Sequence, residues 1–103
     1  MRYMSLIVLV LFGLSAPVLA QDPAAGKTKA AVCAACHGAE GISVIPDYPN
    51  LAGQKVKYLE SSIKAYRDGG RKHAVMSPMA AGLSDADIID LAAYFSALPE
   101  NNE

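Results

Sequence analysis

The sequence predicts an all-α domain of three main helices and two long loops, and three observations predict it. Apolar residues recur at three- and four-residue spacings in two segments, and no stretch alternates strictly enough to mark a strand. Start and stop signals bracket those segments. A third, alanine-rich segment runs into a C-x-x-C-H motif, whose chemistry needs its side chains on one helical face.

Residues 1–20 stand outside that domain. Met1-Arg2-Tyr3-Met4 is positively charged, Leu6 to Leu14 is nearly all large and apolar, and Val18-Leu19-Ala20 ends on a small residue. This is the pattern of a secretory signal peptide cut after Ala20, which implies export to the periplasm. The competing reading is an uncleaved anchor. A membrane span needs about 20 apolar residues, whereas this run is interrupted by Ser15 and Pro17. No cysteine opens the mature chain to carry a lipid, so no stable membrane insertion is expected after cleavage. Residues 21–103 then form one domain of 83 residues. A chain of that size needs a disulfide, a metal or a cofactor to complete its core. With 8 basic and 10 acidic side chains in residues 21–103, it is no candidate for nucleic acid.

The first helix is expected over about residues 23–36. Pro23 suits a first turn, the alanines favour helix, and Gly26 within it implies a close crossing by another helix. The second runs over about 53–68, with Val56, Leu59, Ile63 and Tyr66 as its apolar stripe and Gly69-Gly70 as its stop. The third begins at the Ser84 cap, buries Ile88, Leu91, Ala92 and Phe95, and ends before Pro99. Asp85, Asp87 and Asp90 read as its capped, solvated face. The loops at 38–52 and 69–83 are long for so small a domain and therefore need a function; wrapping two faces of a cofactor would supply one.

Cys33-Ala34-Ala35-Cys36-His37 identifies that cofactor. C-x-x-C-H is the attachment signature of a c-type haem: two thiols add to porphyrin vinyl groups, and the adjacent imidazole binds iron. On a helix Cys33 and Cys36 are (i, i+3) neighbours, and Cys33 and His37 are (i, i+4) neighbours, so all three reach one macrocycle. A redox disulfide or a zinc site is the alternative for the cysteines. A thioredoxin-like motif would follow a strand, and no strand pattern precedes Cys33. For the second axial position residues 21–103 offer Met76, Met79 and His73, all in the second loop. A thioether opposite histidine gives the raised reduction potential of electron-carrying cytochromes. His73, beside Arg71 and Lys72, reads as part of a solvated basic loop.

These residues carry a family resemblance. The chain resembles class I c-type cytochromes, closest to the bacterial cytochrome c4 and c553 group, through V-C-A-A-C-H-G at 32–38, Y-P-N-L-A-G-Q at 48–54, M-S-P-M-A-A-G-L-S-D at 76–85 and L-A-A-Y-F at 91–95. The resemblance implies a small cytochrome c fold wrapped around one covalent haem. In the c4-like pattern the ligand methionine precedes L-S-D by seven residues, which makes Met76 the ligand and Met79 a packing residue. It also implies that the Pro49 carbonyl accepts a hydrogen bond from His37 Nδ1. Ile42 and Val44 depart from the Asn and Pro usual in that loop.

The metal ligands expected are therefore His37 and Met76, with Cys33, Cys36 and Pro49 completing the haem-binding set and no catalytic residue. With both axial positions filled, one-electron transfer is the expected function, not enzymatic turnover. The partners are redox proteins, an electron donor and an acceptor, served by a monomer or weak dimer. Lys55, Lys57, Lys64, Arg67, Arg71 and Lys72 precede an acidic stretch and either orient such encounters or form ordinary helix surface. The alternative function is a cytochrome subunit bound permanently to a dehydrogenase or other oxidoreductase. A haem sensor or peroxidase-like protein, in which the methionine leaves the iron, is a third.

Overall fold

Proline at one helix start, a serine cap at another and three apolar stripes fold as five helices in the computed structural model, which describes residues 7–10, 13 and 21–100. The signal-peptide reading of residues 1–20 falls mostly outside those residues. The helices are α1 Pro23–Lys29, α2 Ala31–His37, α3 Val56–Asp68, α4 Met76–Ala80 and α5 Asp85–Ala97. No strand occurs among the described residues, and no helix there is long and apolar enough to cross a membrane.

α5 is the central element. Its Ser84 cap is a full capping box: Ser84 Oγ accepts from the Asp87 amide, and the Asp87 carboxylate accepts from the Ser84 amide. The predicted stripe is buried, with Ile88 0%, Leu91 1%, Ala92 0% and Phe95 2% exposed. Burying each of the large ones stabilises the fold by about 1.5–3 kcal/mol. Leu91, Ala92 and Phe95 share the core with Ala30 and Leu59, and Val56 and Ile63 pack against it.

α1 crosses α5 at Gly26. A Cβ there would lie 2.1 Å from the Asp90 carbonyl oxygen and 2.8 Å from Tyr94 Cβ, so only glycine permits the approach. The close crossing implied by that residue is what the structure shows.

Three features differ from the sequence-based expectation. The first helix breaks at Ala30, where ψ of −8° flattens one turn while the amide still reaches Gly26 O at 2.8 Å. Ala30 is itself core, and the bend lets α1 lie on α5 while α2 carries the motif elsewhere. The second helix starts at Val56 rather than Gly53, because the Gly53 amide is bonded to Phe95 O and Lys55 is extended. The second long loop contains α4. Its Pro78 occupies the first turn of α4, where its missing N–H leaves no intrahelical bond unmade.

Asp90 also needs correction. Its spacing placed it on a solvated face, but it is buried and bonded: Oδ2 lies 2.7 Å from Lys29 Nζ, and Oδ1 accepts from the Asp22 amide at 3.0 Å. The α1 crossing covers it. Asp22 in turn caps α1 through the Ala24 and Ala25 amides.

Candidate functional site

The bend at Ala30 sends α2 towards a cleft of about 270 Å³ between it, α3, α4 and α5. Cys33, Cys36 and His37 line it from α2, Met76 and Met79 from α4, and Leu91 and Phe95 from α5. The helical spacing does what its geometry required: one face of α2 presents both sulfurs and the imidazole to one apolar space. Met76 is half-buried, whereas Met79, one turn on, is 44% exposed.

His37 is only 6% exposed, and its Nδ1 lies 2.8 Å from Pro49 O. The carbonyl accepts only if Nδ1 carries the proton, which leaves Nε2 with its lone pair free to bind a metal. Tyr48 flanks the ring at 6.2 Å between centroids. The loop bearing Pro49 is tied down from both ends. Asn50 Oδ1 accepts from the Ser43 amide at 2.7 Å, Ser43 Oγ is within reach of Cys36 O, and the Leu51 and Ala52 amides both reach Gly41 O. Ser43 and Asn50 were missed in the sequence, because neither ligates anything. Their signal was the Pro-Asn step beside a Gly-rich turn.

The loop begins at Gly38, with φ 88° and ψ 148°, a conformation confined to glycine. A Cβ there would meet Ile42 O at 2.0 Å.

The two thiols are unbridged. Burial pushes the Cys33 thiol above its ordinary range, with its own backbone bond opposing and Cys36 adding to the rise. A redox cysteine is tuned the other way, by positive surroundings that lower its pKa. No strand precedes α2 among the described residues, so the setting of a thioredoxin-like motif is not found there. The described residues also hold no cluster of three or more His, Cys, Asp or Glu suited to a bare metal ion.

His73 does not line the cleft. Its Nδ1 accepts the amides of Val75 at 3.1 Å and Met76 at 3.3 Å, so that nitrogen is engaged at the start of α4.

Residues 23–99 match the family described as Cytochrome c. The chain belongs to the cytochrome c family. Cytochrome c-554(548) of Halomonas halodenitrificans is 60% identical over 81 residues, covering 76% of this chain and 98% of that one. Cytochrome c4 of Pseudomonas aeruginosa is 49% identical over 78 residues, covering 76% of this chain and 39% of the relative. The crystal structure of reduced recombinant cytochrome c4 from Pseudomonas stutzeri superposes with a TM-score of 0.74 at 43% identity, over 78% of this chain and 47% of that one. The chain thus spans about half the length, or less, of the cytochromes c4 it matches. These relatives are cytochromes, electron carriers rather than enzymes. The family implies haem c, and Cys33, Cys36 and His37 are its C-x-x-C-H motif. The site's chemistry fits that group: an apolar cleft, two thiols and an imidazole nitrogen on one wall, and thioethers from α4.

Proposed function

We propose that this chain is a periplasmic one-electron carrier. In this reading a signal peptide of residues 1–20 is removed, and residues 21–103 hold one haem c through Cys33 and Cys36. His37 and Met76 would be the protein ligands of its iron. One observation carries the reading: a single apolar cleft is lined by Cys33, Cys36 and His37 from α2 and by a half-buried methionine from α4.

Each residue has a separate task. The Cys33 and Cys36 sulfurs fix the group to α2, so it neither dissociates nor turns. The Pro49 carbonyl holds the His37 proton on Nδ1 and raises the basicity of Nε2. Leu91 and Phe95 exclude water from the cleft, which favours the less charged iron state. Met76 supplies a soft thioether that stabilises reduced iron over oxidised iron. When bound, the group would supply one-electron redox chemistry, and ligation by both His37 and Met76 would leave it no open site for a substrate, which suits a carrier better than a catalyst.

Redox proteins are the partners this reading requires. In a second reading the chain is a cytochrome bound to a dehydrogenase as a subunit; two relatives, from Thiomonas intermedia and Stutzerimonas stutzeri, are named thiosulfate dehydrogenase electron acceptors, which supports a dehydrogenase as the donor.

Visible and near-infrared spectra of the exported, haem-loaded chain test the ligand set. Wild type and Met79→Ala should show a low-spin c-type spectrum with a sulfur-to-iron charge-transfer band, and Met76→Ala should lose that band. Loss only in Met79→Ala would move the ligand, and a high-spin wild type that binds carbon monoxide readily would sink the carrier reading. Co-purification with a dehydrogenase at fixed stoichiometry would favour the subunit.

A further inference from the structure

We propose that His73 is a positioning residue for Met76: its imidazole takes the place of a helix cap at α4 and holds the thioether-bearing residue in register with the cleft. The proposal rests on the reading of Met76 as the iron ligand.

α4 is five residues long, too short to persist by its own propensity, so its position depends on how its ends are fixed. The C-terminal end is fixed by burial, with Ala80 1% exposed. The other end has no side-chain cap from the capping position itself, which is Val75. Its donors are nevertheless accounted for, and His73 accounts for most of them. The ring Nδ1 accepts the Val75 and Met76 amides, and the His73 carbonyl accepts the Ser77 amide at 3.1 Å. Pro78 has no N–H, and the Met79 amide reaches Val75 O at 3.2 Å.

His73 is held in turn. Its own amide donates to Ser77 Oγ at 2.9 Å, so the two residues clasp each other across the turn. The ring meets the edge of Tyr66 at 6.4 Å between centroids, and the Arg71 guanidinium covers the Tyr66 ring at 4.6 Å. Tyr66 belongs to α3, which packs on the core through Leu59 and Ile63. The imidazole therefore links the core helix to the first residue of α4. That residue is Met76, and its own amide is one of the two the ring holds. An asparagine or aspartate would cap a turn in the same way. Histidine does it here while adding the aromatic contact to Tyr66.

A lost cap frees the end of α4 and lets an external ligand displace the thioether. Imidazole titration of the oxidised, haem-loaded chain, followed by loss of the sulfur-to-iron band, reads this directly. His73→Phe keeps the ring edge on Tyr66 and removes the acceptor, and His73→Ala removes both. Either should let imidazole displace Met76 at about fivefold lower concentration, the size of a lost cap. His73→Asn should recover most of that loss, because its side-chain oxygen can accept the same amides although it lacks the ring contact to Tyr66. Unchanged imidazole affinity in His73→Phe and His73→Ala, with or without a lower melting temperature, overturns the proposal and leaves Met76 as the ligand. Failure of Asn to rescue overturns the acceptor role. Survival of the band in Met76→Ala removes the ligand reading, and the proposal with it.

Discussion

Two backbone groups set the geometry next to the motif, and neither is a ligand. The Pro49 carbonyl, 2.8 Å from His37 Nδ1, fixes the imidazole's tautomer and plane. Gly38, immediately after the histidine, turns the chain into the loop that brings Pro49 back. Its φ of 88° with ψ of 148° is closed to other residues, and the space for a Cβ is filled by Ile42 O. Gly38→Ala should therefore cost roughly 2–4 kcal/mol, from strain and overpacking together. Denaturant unfolding of the haem-loaded chain measures it, and a loss under about 0.5 kcal/mol, typical of an indifferent surface position, would show that the turn relaxes freely.

Pairs of helices depend on what meets where they cross. α1 and α5 approach closely at Gly26, and beside that contact Lys29 Nζ lies 2.7 Å from Asp90 and 2.9 Å from Asp87. The lysine, followed by the Ser84 amide, holds the Asp87 carboxyl down at about 2, and it also lowers Asp90 from its ordinary 3.8. Both carboxylates raise Lys29 above its ordinary 10.5. The signs give a window. The carboxylates contribute stability that is present above the unfolded value near 4 and is lost as pH falls towards 2. The lysine's share is present below about 10 and disappears only above its raised folded value. Thermal unfolding should show a plateau between these limits and a steep fall in acid. Lys29→Met should lower the plateau and flatten the fall, and an unaltered acid limb would mean that these groups do not set it.

At the scale of the whole molecule, the cofactor cleft and the hydrophobic core are one structure. Leu91 and Phe95 belong to both: they pack with Ala30, Leu59 and Ala92 on one side and line the cleft on the other. Among the helices, α2 packs only on α1 and α4 only on α3, so neither rests on α5 directly. A chain of this size has little apolar area in reserve. Cys33→Ser/Cys36→Ser, which blocks covalent attachment, should therefore give a chain that retains helical far-ultraviolet circular dichroism but loses a cooperative thermal transition. A sharp transition without haem would show that the core of α1, α3 and α5 stands alone.

Much of this was legible residue by residue, where local spacing carries the information. C-x-x-C-H needs only one helical turn to bring three side chains together. The Ser84 cap and the stripe from Ile88 to Phe95 follow from short-range periodicity, and Gly26 betrayed a crossing because glycine is costly in a helix without one. Y-P-N-L pointed to the Pro49 carbonyl only through family resemblance. What periodicity missed depended on residues far apart in the chain. Asp90 shows acidic helix-face spacing, yet α1 folds over it and supplies Asp22 and Lys29. His73 sits among basic residues in what reads as a loop, yet its ring closes the end of a short helix there. The sequence by itself determined the three main helical segments, the haem motif and the candidate ligands, because those rest on neighbours within a turn or two. Only the tertiary structure decided which polar side chains are buried and what anchors α4, because both depend on which distant segment comes to lie against them.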